Sequence, residues 1–341
     1  MAKDTTSNFI RALRRLAQSN DTPAATDINA LAMPSRENIA EFQTEWPQIP
    51  ADRRRAIVEV MNELSEASVH SDFSDLFVPL LEDSDEFVRS EAIDGLWESE
   101  SSAVARRLLR LLKDDQSVLV RAAAAEGLGH FVLRAELGQQ ASPPVEAMSD
   151  ALLARIDDPK EDEEVRRRAL ESVAYSSAER IHDVIAEAYA KGDQTMRASA
   201  IYAMGRSADN SWGDIVLQEL RSREPAIRYE AAYAAGELSV VEALPRLIEL
   251  VDDADRQVRE SAVWSLGQLG GREARRVLES VLAGPDEALH EAATDALAEL
   301  EFAQGVAPFN LFDFEVPPPG NGNGQLEVPD ADEDEEDEDD E

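Results

Sequence analysis

The sequence contains no cysteine, few aromatic residues, few lysines and no long apolar run. Without cysteine among 341 residues, disulfides, zinc–thiolate sites and cysteine nucleophiles are excluded. Aromatic residues make up only 6% of the chain, and no stretch approaches the length of a membrane-spanning helix. Residues 1–18 contain Asp4 and an apolar pattern broken by arginines, which is not typical of a secretory signal. We therefore expect a cytoplasmic protein that does not insert into membranes.

Positive charge is scarce as well. The chain has 71 acidic residues against 33 basic ones, and its net charge at pH 7 is −38. An acidic surface repels phosphate backbones, so we do not expect nucleic acid as a partner. Only 4 of the basic residues are lysine. This composition fits a salt-adapted host and equally a GC-rich genome, and the sequence does not separate the two.

What the sequence does contain is a repeat of about 31 residues, marked by an apolar residue followed by arginine. The copies are Val88-Arg89, Val120-Arg121, Val165-Arg166, Met196-Arg197, Ile227-Arg228, Val258-Arg259 and Leu289-His290. Consecutive copies are 31 or 32 residues apart, except for a step of 45 between residues 120 and 165. That longer step indicates an insertion near residues 133–149, where Gly138, Pro143 and Pro144 interrupt the helical pattern.

Further columns recur when the arginine is counted as position 0. Position +3 is always alanine, position +7 is always apolar, and position +8 is glycine in four copies. These spacings place the residues on one face of a helix, where small side chains allow close packing or mark the helix end. Position −4 is acidic in six of the seven copies, which suits a helix N-cap. An amphipathic stretch precedes each such helix, so the repeating unit is a pair of helices.

The pattern Asp-x-x-Val-Arg-x-x-Ala-x-x-x-Leu-Gly resembles bacterial HEAT repeats of the phycobilisome-lyase-like class, over about residues 80–300. The resemblance implies an all-α fold: a right-handed α-solenoid (superhelix) of about eight HEAT-type helix pairs, with the second helix of each pair on the concave side. We predict an N-terminal helix and linker in residues 1–35, with the helix at Asn8 to Gln18 and the linker at Asn20 to Pro34. The solenoid follows in residues 36–300.

The arginine column lies within the packed stripe of the second helix. We therefore interpret it as a structural ladder, in which each arginine pairs with a capping aspartate between neighbouring repeats. Its members are Arg89, Arg121, Arg166, Arg197, Arg228 and Arg259, with Asp85, Asp162, Asp193, Asp255 and Asp286.

The resemblance also raises an enzymatic alternative. It extends to deoxyhypusine hydroxylase, which holds two irons with several His-Glu pairs, and to chromophore lyases. This chain has one such pair, His290-Glu291, and one histidine with one carboxylate does not hold two irons. We interpret His290 as a substituted ladder position, and we predict no catalytic residue, no metal, no cofactor and no enzymatic activity. An enzyme or enzyme subunit of the phycobilin-lyase-like or deoxyhypusine-hydroxylase-like class is the alternative.

Position +5 lies opposite the packed stripe and carries large aromatic residues in three consecutive repeats. Such residues with an acidic rim are typical of peptide-binding grooves. We expect rings about 10 Å apart and predict a non-enzymatic scaffold or adaptor whose concave face binds a protein or peptide, possibly basic. The alternative is that the rings fill gaps between neighbouring second helices. The predicted binding residues are Tyr175, Tyr202, Tyr229, Tyr233 and Trp264, with Glu171 and Glu230.

The C-terminal residues 301–341 comprise a phenylalanine-rich segment, a Pro/Gly linker and an acidic tail. Phe302, Phe309, Phe312 and Phe314 lie within 13 residues, and they either cover the last repeat or form a docking motif. The tail has 11 acidic residues among its last 12, which predicts disorder. Its role is either solubility or attraction of a basic partner.

Overall fold

The computed structural model describes residues 7–19, 21–68, 70–139 and 143–303. Within them it contains eighteen α-helices, four short 3₁₀ turns and no β-strand. Buried apolar side chains form one continuous core from Phe9 to Leu300, and the predicted all-α solenoid is confirmed. No helix of this part of the chain combines the length and apolar character that crossing a bilayer requires. Most of the phenylalanine-rich segment, including Phe309, Phe312 and Phe314, lies outside the described residues, as do the Pro/Gly linker and the acidic tail.

Two helices precede eight consecutive helix pairs. The first two are α1 (Asn8–Gln18) and α2 (Ala25–Asn29). The pairs are α3 (Arg36–Glu45) with α4 (Ala51–Ala67), α5 (Ser74–Leu80) with α6 (Glu86–Asp94), α7 (Ser102–Asp114) with α8 (Val118–Glu136), α9 (Val145–Asp157) with α10 (Glu163–Val173), α11 (Arg180–Lys191) with α12 (Gln194–Arg206), α13 (Gly213–Glu219) with α14 (Pro225–Glu237), α15 (Leu244–Leu250) with α16 (Arg256–Leu269), and α17 (Gly271–Leu282) with α18 (His290–Ala303).

The N-terminal region is more ordered than its sequence indicates. Helix α1 has the predicted bounds and buries Phe9, Leu13 and Leu16. The expected linker contains α2, and Ile28 and Leu31 there are fully buried. Five helical residues are too few to show a helical period, so the sequence pattern did not reveal this helix.

The insertion lengthens a second helix and the loop that follows it. Helix α8 continues to Glu136. Gly138 follows with a φ of +79°, a left-handed conformation that favours glycine and terminates the helix. Residues 140–142 are not described, and α9 starts directly after Pro144, whose ring suits a helix entrance.

Small residues allow consecutive second helices to pack closely. A Cβ on Gly267 would lie 2.8 Å from the Cβ of Ala296, and a Cβ on Gly129 would lie 2.9 Å from the Ser172 Oγ. In each contact, the glycine at +8 of one repeat meets the small residue at +6 of the next. The second helices contact one another along the whole stack, whereas the first helices contact one another less. This difference curves the stack and places the second helices on its concave face.

The acidic residues at −4 cap the second helices in four repeats. The side chains of Asp85, Asp162, Asp193 and Asp255 accept hydrogen bonds from main-chain amides of the first turn. Asp286 makes no such bond, because its helix begins with a 3₁₀ turn. Its carboxylate instead lies 3.3 Å from Arg259.

The ladder arginines mostly pair with a different acid from the predicted one. Arg228 donates hydrogen bonds of 2.7 and 2.8 Å to Asp253, and Arg89 donates bonds of 2.8 and 2.9 Å to Asp115. Both acids stand at −6 of the following repeat, in the turn before its second helix. The predicted partners at −4 were therefore wrong for these repeats, because the carboxylates at −6 are the ones that lie within hydrogen-bond distance of the two arginines. Of the predicted arginine–aspartate pairs, Arg259 with Asp286 is the one the structure contains.

Each of these arginines also binds the turn of its own repeat. Arg89 donates to the carbonyl of Asp83 at 2.8 Å, and Arg228 donates to the carbonyl of Ser222 at 3.0 Å, both at −6. The Nε2 of His290 lies 3.1 Å from the carbonyl of Gly284, again at −6. The histidine thus occupies the place that arginine has in the other repeats.

Three further ladder members depart from this pattern, and Arg54 extends it. Arg121 pairs at 2.7 Å with Glu161, which stands at −5 of the following repeat. Arg197 reaches Glu219, whereas Arg166 donates only to the carbonyl of Ile156 and has no carboxylate partner among the described residues. Arg54 pairs with Asp83 at 2.9 Å, and their side chains are 7% and 5% exposed. The sequence pattern missed Arg54 because arginine rather than an apolar residue precedes it.

Asp253 remains ionised in the fold. Burial raises the pKa of Asp253, but hydrogen bonds from Arg228 and from the amide of Asp255 outweigh burial and hold the pKa below its ordinary value. This carboxylate therefore stabilises the fold above about pH 4, and the contribution is lost as the pH falls through the lowered pKa.

We expect Arg228→Ala to lower the free energy of unfolding by about 3 kcal/mol, because it leaves Asp253 buried without its cation. Urea unfolding at pH 7 measures the loss. Arg110→Ala is the control, since the Arg110–Glu82 pair is 65% and 62% exposed and its loss should cost under about 1 kcal/mol. Equal effects of the two substitutions would contradict a structural role for the buried ladder.

Candidate functional site

The predicted aromatic residues form a connected row on the concave face. The hydroxyl oxygens of Tyr175 and Tyr202 are 3.4 Å apart, and the ring centroids of Tyr229 and Tyr233 are 6.4 Å apart. The rings of Tyr233 and Trp264 are stacked, with centroids 4.0 Å apart and planes 4° apart. All five side chains are half-buried. The row thus runs across α10, α12, α14 and α16.

The expected separation of about 10 Å between neighbouring rings is wrong for Tyr233 and Trp264. Trp264 leans towards the preceding repeat, where a Cβ on Gly236 would lie 2.7 Å from its ring. The glycine opens a groove, and the indole fills it while stacking on Tyr233. At this end of the row the rings therefore pack between second helices, as the alternative interpretation holds.

Arg206 connects the two ends of the row, and the sequence pattern did not single it out. Its guanidinium carbon lies 5.2 Å from the ring centroid of Tyr202 and 5.4 Å from that of Tyr233, within the range of cation–π contacts. It also pairs with Glu237 at 2.9 Å. Arg206 stands at +9 of its repeat, the same position as Tyr175 in an earlier repeat. This shared position could have indicated from the sequence that Arg206 lies beside the aromatic row.

A cavity of about 460 Å³ opens beside the tyrosine end of the row, between α8, α10, α12 and α14. Four of the predicted binding residues line it: Tyr175, Tyr202, Glu171 and Glu230. The other lining residues are Glu126, Gly129, His130, Leu133, Arg167, Arg168 and Ser172. The structure thus brings the two predicted acids together with two of the predicted rings, while Tyr229, Tyr233 and Trp264 lie outside the lining.

The two predicted acids differ in their environment. Glu171 accepts from Arg167 at 2.7 Å, from Arg168 at 3.3 Å and from the Ser199 hydroxyl at 2.6 Å. Its charge is therefore neutralised within the protein. For the Glu230 carboxyl group the described residues provide no hydrogen bond. Burial, and then the charge of Glu171, raise its pKa to about 7.

His130 is a second polar group of the cavity without a partner. Its Nε2 is buried and has no hydrogen bond among the described residues. Burial, together with the charge of Arg134, lowers its pKa, so the ring is neutral at pH 7. No sequence motif surrounds His130, so the sequence analysis did not select it.

The matching family model has the description HEAT repeats, and it covers residues 50–131 and 213–298. The chain is a HEAT-repeat protein. Most of the residues that line the cavity lie between the two matched segments, where this HEAT-repeat chain carries its insertion. No curated protein matches the sequence.

Solved structures similar to this HEAT-repeat chain match it at low identity and with TM-scores below 0.5. Human deoxyhypusine hydroxylase is 16% identical, with 78% of this chain and 96% of that chain covered and a TM-score of 0.35. Escherichia coli YibA is 16% identical, with 88% and 99% covered and a TM-score of 0.42. The CpcE–CpcF complex of phycocyanin lyase from Nostoc is 17% identical, with 67% and 94% covered and a TM-score of 0.45.

The prediction that the chain is not an enzyme is contradicted by these structures, because a deoxyhypusine hydroxylase and a phycocyanin lyase are among them. At these identities and TM-scores the likeness assigns neither an activity nor a binding role to this chain. In the described residues, no group of three or more His, Asp or Glu side chains is arranged to hold a metal ion.

We expect Trp264→Ala to lower the free energy of unfolding by about 3 kcal/mol, because the indole fills the groove over Gly236 and stacks on Tyr233. Trp97→Ala is the control, since Trp97 is 61% exposed and should change stability by less than about 1 kcal/mol. Thermal unfolding of both variants measures the difference. An unchanged melting temperature for Trp264→Ala would show that this ring is an exposed anchor instead.

Glu230→Gln should stabilise the protein at pH 8 by about 1–2 kcal/mol, because it removes a half-buried carboxylate without a cation. The raised pKa means that the wild type loses stability as the pH rises from about 4.5 to 7. The gain of the variant should therefore grow over this range and remain constant above it. Urea unfolding from pH 5 to pH 8 measures the profile, and a gain independent of pH would contradict the environment assigned to Glu230.

Proposed function

We propose that the chain binds a protein or peptide partner along its concave face, at the cavity and the adjoining aromatic row. The observation that carries this proposal is the cavity itself, which lies between four second helices and is lined by two tyrosines and three acids. Rigid aromatic side chains with a polar surround are typical of the central contacts in protein interfaces.

The dimensions of this surface suit an extended segment. The row and the cavity cross the second helices α8 to α16, and neighbouring helices pack about 10 Å apart. The surface therefore extends over about 40 Å, which corresponds to about twelve residues of extended chain. The Arg206 contacts hold the rings in place before binding, which reduces the entropy lost on association.

Selection of a random peptide library displayed on phage against the full chain tests the proposal. We expect the selected peptides to lose at least about tenfold in affinity for Tyr202→Ala, since hot-spot aromatics contribute about 2 kcal/mol or more. Val241→Ala is the control, because Val241 is 65% exposed on the turn between α14 and α15. Its affinity should stay within about twofold of the wild type, as rim contacts contribute little.

Melting temperatures of both variants show whether they remain folded, so that a binding loss is not mistaken for unfolding. Peptides that bind Tyr202→Ala and the wild type equally, or a library that yields no binding peptide, would contradict the proposed function.

A further inference from the structure

The cavity contains one acid, Glu230, for which the described residues supply no paired cation. The three arginines around it all have carboxylate partners. Arg167 pairs with Glu164 and Glu171, Arg168 pairs with Glu164, Glu171 and Glu126, and Arg206 pairs with Glu237. Glu230 has no ion pair within the described residues, and it faces the cavity from α14.

The groups that surround Glu230 come from each helix packed around the cavity. Helix α8 contributes the neutral His130 and the paired Glu126, and α10 contributes Glu171 with its two arginines. Helix α12 contributes Tyr202 and Arg206. Since Arg206 is engaged by Glu237 and by two rings, it acts on Glu230 only at a distance.

We propose that Glu230 receives a lysine or arginine side chain of the bound partner, and this inference rests on the proposed function. The rings of Tyr175 and Tyr202 line the same cavity and can contact the alkyl part and the cationic group of such a side chain. The carboxylate can then accept a charge-assisted hydrogen bond from that cationic group.

The inferred contact is coupled to protonation. With a pKa of about 7 in the free protein, Glu230 is mostly ionised at pH 8 and mostly protonated at pH 5.5. A cation beside it favours the ionised form, so binding should weaken by at least about tenfold between these two pH values. His130 also gains a proton as the pH falls and would repel the same cation, and Glu230→Gln separates the two effects.

Two matched small molecules test the inference on the full chain: N-acetyl-L-arginine amide, which is cationic, and N-acetyl-L-citrulline amide, its neutral counterpart. Shifts of the ring signals of isotope-labelled tyrosine report binding by NMR. We expect saturable shifts of Tyr175 and Tyr202 with the arginine compound at pH 8, and binding at least about tenfold weaker for the citrulline compound. Glu230→Gln should bind the arginine compound at least about tenfold more weakly than the wild type does.

Glu249→Gln is the charge-matched control. Glu249 is 65% exposed on the first-helix layer and pairs with Arg246, so its loss should leave binding of the arginine compound within about twofold. The melting temperatures of both variants establish that they are folded. Equal binding of the arginine compound by the wild type and Glu230→Gln, or equal binding of the two compounds by the wild type, would overturn the inference.

The outcome is distinguishable from failure of the proposed function. Library peptides that depend on Tyr202 but bind Glu230→Gln as tightly as the wild type would overturn the inference and leave the proposed function in place. Peptides that are insensitive to Tyr202 would overturn both.

Discussion

The close approach of the second helices is the constraint on which the rest of the structure depends. Glycine at +8 of one repeat fits against a small residue at +6 of the next, with no room for another carbon atom at Gly267 or Gly129. Because only one layer of helices packs this closely, the stack curves and gains a concave face. The same glycines open the grooves into which larger side chains lean, as Trp264 does over Gly236. Packing and the candidate binding surface therefore arise from one column of the sequence.

Electrostatics adds a second connection between the repeats. The aspartates at −6 are Asp83, Asp115 and Asp253. Their carboxylates accept hydrogen bonds from the arginine of the preceding repeat. Their main-chain carbonyls accept hydrogen bonds from the arginine of their own repeat. One residue thus joins two helices that are a whole repeat apart. These buried pairs engage three acids of this acidic chain, whereas Glu230 in the cavity has no counterion among the described residues.

The fold could be predicted from the sequence because its period is imposed by packing. Alanine at +3 and the apolar residue at +7 must recur whenever one repeat stacks on the next. The acidic cap at −4 recurs because the first main-chain amides of each helix need a hydrogen-bond acceptor. The site was less predictable because it depends on directions of side chains between repeats. Position alone placed Tyr233 and Trp264 in separate repeats, but the rotation of the indole towards Gly236 stacks them. Likewise, spacing along the chain could not show that Glu171 is neutralised by Arg167 while Glu230 is not.

Within the part of the chain that the structure describes, Arg166 has no carboxylate partner, and we expect the stack to be less stiff at this point. The ionic chain runs from Arg54 to Glu161 and again from Arg197 to Asp286, but Arg166 reaches only the carbonyl of Ile156. The position that is glycine in neighbouring repeats is Ala174 there, and α10 contacts α12 less extensively than any other pair of consecutive second helices from α8 onward. A stack of helix pairs bends most easily where neighbouring repeats contact each other least. Bending of this molecule should therefore concentrate between α10 and α12. Tyr175 lies in the turn after α10 and Tyr202 lies on α12, so bending there changes the width of the cavity.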